Sequence, residues 1–509
     1  MAVLTEFSQG TDTAAASNTT LTPLENSLIA DHVHTYHGSC VWVANTQLKG
    51  RVLVAARDFE AGEQVLLEYP LVEVTVDAKA PAYQIVSSLY ETGSLELPPL
   101  FYWAALNSLT AAEAAGALCS LWPTISAQTQ AQALELQHES PHEACSEASA
   151  SIRSLASALW PSGMGPDLHK LERLLQIWIY NSFDQGDSDD GLQAGVIYLA
   201  ASMCSHSCSP NSAWHLDEDN HWILHARDTI EEGDELTIPY LGPADLCLPT
   251  PDRREILERT KAFCCQCDRC VARLDAARAF RCPHCDGLAF ATTAATSGTE
   301  GQSTCSIECQ ACGRLDAEVV ASFLATETRL RGWARARPEF HAAPSDVDMD
   351  YKSSSSSSNT CPRDLLSQAE ADGLGSEHWA IDALRAAVHT DNAAEKSALL
   401  RQRVAAHAGK AHAVTKCARL QLSLGLALSE EGGAVALDEA ATVCKQAADT
   451  LAILFGDDHP EHHEAVAFCR KIATRRQVAS LKSKSCGAFQ SLNNGSSKLP
   501  APGILKNSA

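Results

Sequence analysis

Long apolar runs are missing from this chain: nowhere do about 18 apolar residues follow one another, so no membrane-spanning helix is expected. The opening residues, MAVLTEFSQGTDTAAASNTT, lack a basic segment followed by an apolar one, so no export signal is expected either. Basic residues are also scarce, with 39 Lys and Arg against 63 Asp and Glu and a net charge of −24. Phosphate binding depends on Lys and Arg, so this balance argues against direct nucleic-acid binding. It suits a basic protein partner such as a Lys-rich tail, and equally a well-solvated acidic surface.

Cysteine is plentiful. Many of the 20 cysteines fall in short C-x-C and C-x-x-C spacings within a chain of 509 residues. In a large chain without an export signal that spacing points to thiolate metal sites in a reducing compartment, cytoplasmic or nuclear, rather than to disulfides. Cys265-x-Cys267-x-x-Cys270 offers three thiolates of a tetrahedral zinc set, and the fourth must come from elsewhere. Cys282-Pro-His-Cys285 and Cys309-Gln-Ala-Cys312 read as two knuckles of a second zinc, with Cys305 as a competing ligand.

The region from Ala194 to Cys270 carries the densest pattern. An apolar run leads to the turn cluster Ser205-His206-Ser207-Cys208-Ser209-Pro210-Asn211. Two strand-like runs follow, Trp222-Ile223-Leu224 and Leu236-Thr237-Ile238, flanking the loop Glu232-Gly233-Asp234. The ordered motifs HSCxPN, GDELTIPY and F-x-C-x-C-x-x-C resemble the end of a SET domain, the fold of protein-lysine methyltransferases, with its post-SET zinc site. The similarity is greatest to the SET-and-MYND branch. Between Leu71 and Met203 only Cys119 and Cys145 occur, too few for a MYND zinc finger, which is expected to be absent.

The resemblance implies S-adenosyl-L-methionine and Zn2+ as cofactors, a Lys-containing protein as substrate, a monomer, and a role in chromatin regulation. It implies Tyr240 as the residue whose hydroxyl orients the lysine amine during methyl transfer. It assigns Cys208 as the fourth ligand beside Cys265, Cys267 and Cys270, with Cys204 and Cys264 as nearby spare thiols. Cofactor contacts fall on Gly50, Arg51, Asn181, Ser205, His206, Tyr240 and Phe263, with Phe263 stacking on the adenine. Asn211 closes the family's pseudoknot through structural hydrogen bonds. Two positions depart from the pattern: Val52 stands where a glycine lets backbone approach the cofactor, and Ser205 stands in place of Asn. A non-catalytic scaffold that retains the fold and the zinc sites is the competing expectation.

The expected architecture is α+β: a β-rich SET fold with pseudoknot and helical insert, a post-SET zinc site, a zinc-ribbon-like module and a tetratricopeptide-like α-helical domain. A leader over 1–35 is expected to be disordered. SET spans 36–245, with β runs at Val41-Trp42-Val43, Gly50 to Ala55 and Gln64 to Val76, and an Ala-rich helical insert over about 81–180. The post-SET region spans 246–275 and the ribbon-like module 276–320. A Ser-rich linker covers 341–362. The helical domain spans 363–478, with a Gly432-Gly433 break between two helices, and a disordered tail covers 479–509.

Overall fold

A computed structural model describes residues 21–118, 122–137, 148–184, 194–293, 305–335 and 361–493. Parts of the acidic stretch after Asp184, the loop between the second pair of cysteine knuckles and the Ser-rich linker fall outside them, as do Cys119 and Cys145.

Small antiparallel sheets build the N-terminal half. Val41–Thr46 pairs with Gly50–Ala55. Trp222–Ala226 pairs on one side with Gln64–Glu68 and on the other with Ser212–Leu216. Val72–Thr75 pairs with Ala194–Ile197. These strands share a core in which Phe59, Tyr198 and Trp222 are fully buried. Helices Pro81–Glu91, Pro99–Asn107, Ala150–Leu159 and Leu168–Asn181 form a cap that shares this core through Trp103, Leu155 and Trp178.

The single β run expected over Gln64 to Val76 is two strands in two different sheets. Pro70 lies in the break between them, where it offers no amide to a ladder. The end of the expected leader is also corrected, residues 1–20 lying outside those described: Leu28–His37 is a helix whose Ile29 and Val33 are buried in the same core as these strands. Ser27 caps it, and the Glu135 carboxylate accepts the N–H groups of Leu28 and Ile29 at 3.0 and 3.3 Å. A carboxylate at a helix start satisfies orphan donors and opposes the dipole.

Beyond Cys270, strands Leu274–Arg281, Leu288–Thr292, Ile307–Cys309 and Gly313–Arg314 form an antiparallel sheet, against which helix Ala317–Arg335 packs. The seam holds a buried ion pair. Arg278 donates to Glu327 at 2.8 and 2.5 Å, and Trp379 Nε1 adds a bond at 3.0 Å. Burial opposes the charge on Glu327, but the His378 imidazole 3.6 Å away and the hydrogen bonds and charge of Arg278 hold its carboxyl well below the usual range. A depressed native pKa gives stability that is complete above the unfolded value of about 4.5 and lost as pH falls through the native one. Glu327→Gln leaves the Arg278 charge buried without its partner. It should cost about 3–5 kcal/mol at pH 7 in denaturant titrations, and the gap to wild type should shrink toward pH 3.

Antiparallel helices Val414–Glu431 and Ala434–Phe455 follow, separated by Gly432 and Gly433 at φ 75° and 83°, a region glycine enters without strain. At their crossing a Cβ on Gly425 would lie 2.0 Å from Cys444 Sγ, so only glycine lets the helices approach this closely. The disordered tail is corrected as well: helix Pro460–Asn493 runs through its first residues. Helix Ala434–Phe455 lies against strands Ser212–Leu216 and Trp222–Ala226, and Arg227 donates to the Ala411 carbonyl at 2.6 Å. No helix among the described residues is long and apolar enough to cross a membrane.

Candidate active site and zinc centres

The turn after Cys204 enters a short parallel pairing, Ser205 with Thr237 and His206 with Ile238. Asn211 locks it. Its N–H donates to Thr237 Oγ1 at 3.1 Å and its Nδ2 to the Glu235 carbonyl at 2.9 Å, while its Oδ1 accepts the Thr237 N–H at 2.8 Å. One side chain with both donors and an acceptor thereby fastens the Ser205 turn to the strand that leads to Tyr240.

Cys208, Cys265, Cys267 and Cys270 converge, their Sγ atoms all within 4.8 Å of one another. The Cys208 and Cys270 sulfurs are 3.5 Å apart. Thiolates about 2.3 Å from a shared tetrahedral ion sit roughly 3.8 Å apart, so this set fits zinc. Cys204 and Cys264 stay outside the cluster. Four thiolates around Zn2+ leave a charge of about −2, and Arg253, fully buried, answers it by donating to Cys208 Sγ at 3.2 Å and Cys270 Sγ at 3.4 Å. Arg253→Gln is expected to weaken zinc retention about 10–100-fold in chelator competition, with the second cluster unaffected.

That second cluster is Cys282, Cys285, Cys309 and Cys312, again with all Sγ atoms within 4.8 Å. The Cys309 sulfur accepts the N–H groups of Ala311 and Cys312, both at 3.4 Å, which favours a thiolate there. Cys305 is not part of it; its sulfur faces Arg278 at 3.4 Å.

His206 connects the Cys208 cluster with Tyr240. Its Nδ1 accepts the Tyr240 N–H at 3.0 Å, so its proton lies on Nε2, which faces Cys208 Sγ at 3.3 Å. Burial pushes its pKa down to about 4, so it is neutral at pH 7. Tyr240 donates its hydroxyl to the Cys204 carbonyl at 2.6 Å. Tyr240 keeps 38 % exposure, and desolvation raises its pKa well above the ordinary phenol value. Phe263 completes an aromatic corner, with ring centroids 6.1 Å from His206 and 6.3 Å from Tyr240, and also packs against the zinc cluster.

The remaining candidates are more distant from this corner in their bonding. Gly50 has φ 70° and opens the strand that carries Arg51. The Arg51 guanidinium donates to the Glu135 carbonyl. Asn181 is buried, its Nδ2 bonded to the carbonyls of Gln137 and Ile177 at 2.8 and 2.9 Å. The Ser205 hydroxyl donates to Glu235, which Lys49 holds at 2.8 and 2.9 Å. Val52 is fully buried beside Ala44 and Val54, so its side chain fills a small core.

Three contributors escaped the sequence reading. Arg253 shows no motif of its own. Glu68 reaches from strand Gln64–Glu68 to accept the N–H groups of Leu199, Ala200 and Ala201, each at 2.8 Å, and so holds the segment entering the Cys204 turn. Lys261 Nζ caps the last turn of helix Leu168–Asn181 by donating to the carbonyls of Ile179 and Tyr180 at 3.3 and 3.1 Å, with its nitrogen 6.0 Å from the Tyr240 ring centre. Its place immediately before Ala262-Phe263 is the available signal.

The family model described as SET domain matches residues 50–241. The chain is similar to the protein-lysine N-trimethyltransferase SMYD5 of Gallus gallus, 34% identical over 80 residues that make 16% of this chain and 19% of that protein. It is similar to the histone-lysine N-methyltransferase SET5 of Eremothecium gossypii, 34% identical over 110 residues, 21% of this chain and 20% of that protein. A SET and MYND domain-containing protein of Dictyostelium discoideum is 35% identical over 80 residues, 16% of this chain and 22% of that protein. The chain thus spans about a fifth of the length of these curated relatives.

Proposed function

We propose that this chain, whose residues 50–241 match the SET domain model, methylates lysine side chains of other proteins with S-adenosyl-L-methionine as donor. The observation that carries this reading is the continuous link from Cys208 through His206 to the Tyr240 backbone, beside Phe263, at the end of a strand fastened by Asn211. Bound in that corner, S-adenosylmethionine supplies an electrophilic sulfonium methyl.

The chain's own residues then do the positioning. Phe263 offers its ring face to the adenine, and the backbone around His206 its polar groups. Gly50, Arg51 and Asn181 would hold the amino-acid end of the cofactor. Ser205, its hydroxyl taken by Glu235, presents backbone in place of side chain. Tyr240, fixed by the Cys204 carbonyl, turns its oxygen lone pairs toward the incoming amine and keeps it aligned. Both cysteine clusters would hold structural zinc, since four thiolates leave no open position for catalysis.

The charge of −24 favours basic, Lys-rich substrates, histone tails among them, met by a monomer in the cytoplasm or nucleus. The antiparallel C-terminal helices serve as a tetratricopeptide-like surface for that protein. One observation favours a second reading, a non-catalytic scaffold: the engagement of Ser205 with Glu235. Val52 does not, because its side chain is directed into a core. Calorimetric titration with S-adenosylmethionine separates the two. Micromolar affinity supports the enzyme, and no heat at millimolar cofactor supports the scaffold.

A further inference from the structure

A third group of metal-type donors lies away from both cysteine clusters. His32 and His37, from helix Leu28–His37, and Glu68, from strand Gln64–Glu68, bring one ligand atom each to within 4.8 Å of the others. Donors about 2.0–2.1 Å from a tetrahedral ion sit roughly 3.3 Å apart, so an adjustment of at most about 1.5 Å suffices. Both histidines are partly exposed, the His32 side chain to 22 %.

The carboxylate is the unusual member. Glu68 is 2% exposed and accepts three backbone N–H groups, which supply hydrogen bonds but no net positive charge. Among the described residues no Lys or Arg pairs with it, and His32 Nε2 stands at 3.8 Å, beyond hydrogen-bond reach. Two imidazoles and one carboxylate are a donor set that zinc and neighbouring transition metals take, with water completing the shell.

We propose that His32, His37 and Glu68 form a third metal site, binding a divalent transition ion of the zinc type. The ion neutralises the buried carboxylate and joins the N-terminal helix to the segment Leu199–Ala201, which Glu68 holds just ahead of Cys204. The site stands on this geometry alone and does not depend on the methyltransferase reading.

Metal content of the tag-free full chain, loaded with zinc and dialysed, tests it by elemental mass spectrometry. The double variant His32→Ala/His37→Ala should carry one equivalent less than wild type, with an unchanged far-ultraviolet spectrum. Equal metal content in the two overturns the proposal. Cobalt loading of wild type gives a readout that needs no variant. If the site exists, one equivalent adds visible d–d absorption without the sulfur-to-cobalt charge transfer that both cysteine clusters produce. If every bound equivalent brings charge transfer, the site does not exist.

Discussion

Tyr240→Phe should leave a folded, zinc-loaded chain that binds S-adenosylmethionine as wild type does but transfers methyl groups at least about 100-fold more slowly. A single preorganised polar contact at a reacting centre is commonly worth about 10²–10³ in rate. The hydroxyl is oriented by one bond, to the Cys204 carbonyl, and the ring is held separately by the corner with His206 and Phe263. Removing the oxygen therefore removes the alignment of the amine while the corner keeps its shape. Single-turnover rates with radiolabelled cofactor, read beside calorimetric affinity, separate the two effects. Equal rates would remove Tyr240 from its assigned role, and a joint loss of rate and affinity would make it a structural residue.

Cys208→Ser should have a wider effect. The chain should retain one zinc equivalent less, lose measurable cofactor binding and lose methyl transfer with it. Structural zinc contributes about 10–16 kcal/mol of apparent binding free energy in small sites, and a missing thiolate forfeits much of that. Cys208 is the one ligand contributed by the Ser205–Asn211 turn, and the other three come from the knuckle after helix Thr250–Lys261. Without it the knuckle, and Phe263 with it, is no longer fixed to the turn, and Arg253 keeps a buried charge facing one sulfur fewer. Cys282→Ser is the control: a zinc loss of the same size with cofactor binding retained. If Cys208→Ser binds cofactor normally, the zinc does not shape the cleft.

What is legible in the sequence is local. Cysteine spacing marks its own knuckles, and HSCxPN, GDELTIPY and the Cys265 knuckle lie within one stretch whose order is informative. The structure brings Cys208 to three thiolates some sixty residues away, a partnership that comes from the resemblance and not from spacing. Legibility ends where meaning depends on a distant partner. Leu28–His37 reads as leader because its neighbourhood is rich in Ser, Thr and Ala, while its stability comes from burying Ile29 and Val33 and from the distant Glu135. Arg253 and Glu68 look like ordinary charges on a helix and a strand until folding sets them against sulfur and backbone amides. Val52 shows the converse. Its identity raises a question about the cofactor path, and the β pairing answers it by turning the side chain into the core formed with Ala44 and Val54.

The central claim is that the site around Tyr240 moves a methyl group onto lysine. Its most direct measurement is the incubation of full-length protein with methyl-labelled S-adenosylmethionine and a panel of Lys-rich proteins and peptides, followed by mass spectrometry of the modified residues. Label on lysine nitrogen with wild type and its loss with Tyr240→Phe is the expected result. Absence of lysine label at saturating cofactor, or label equally strong with Tyr240→Phe, would contradict it.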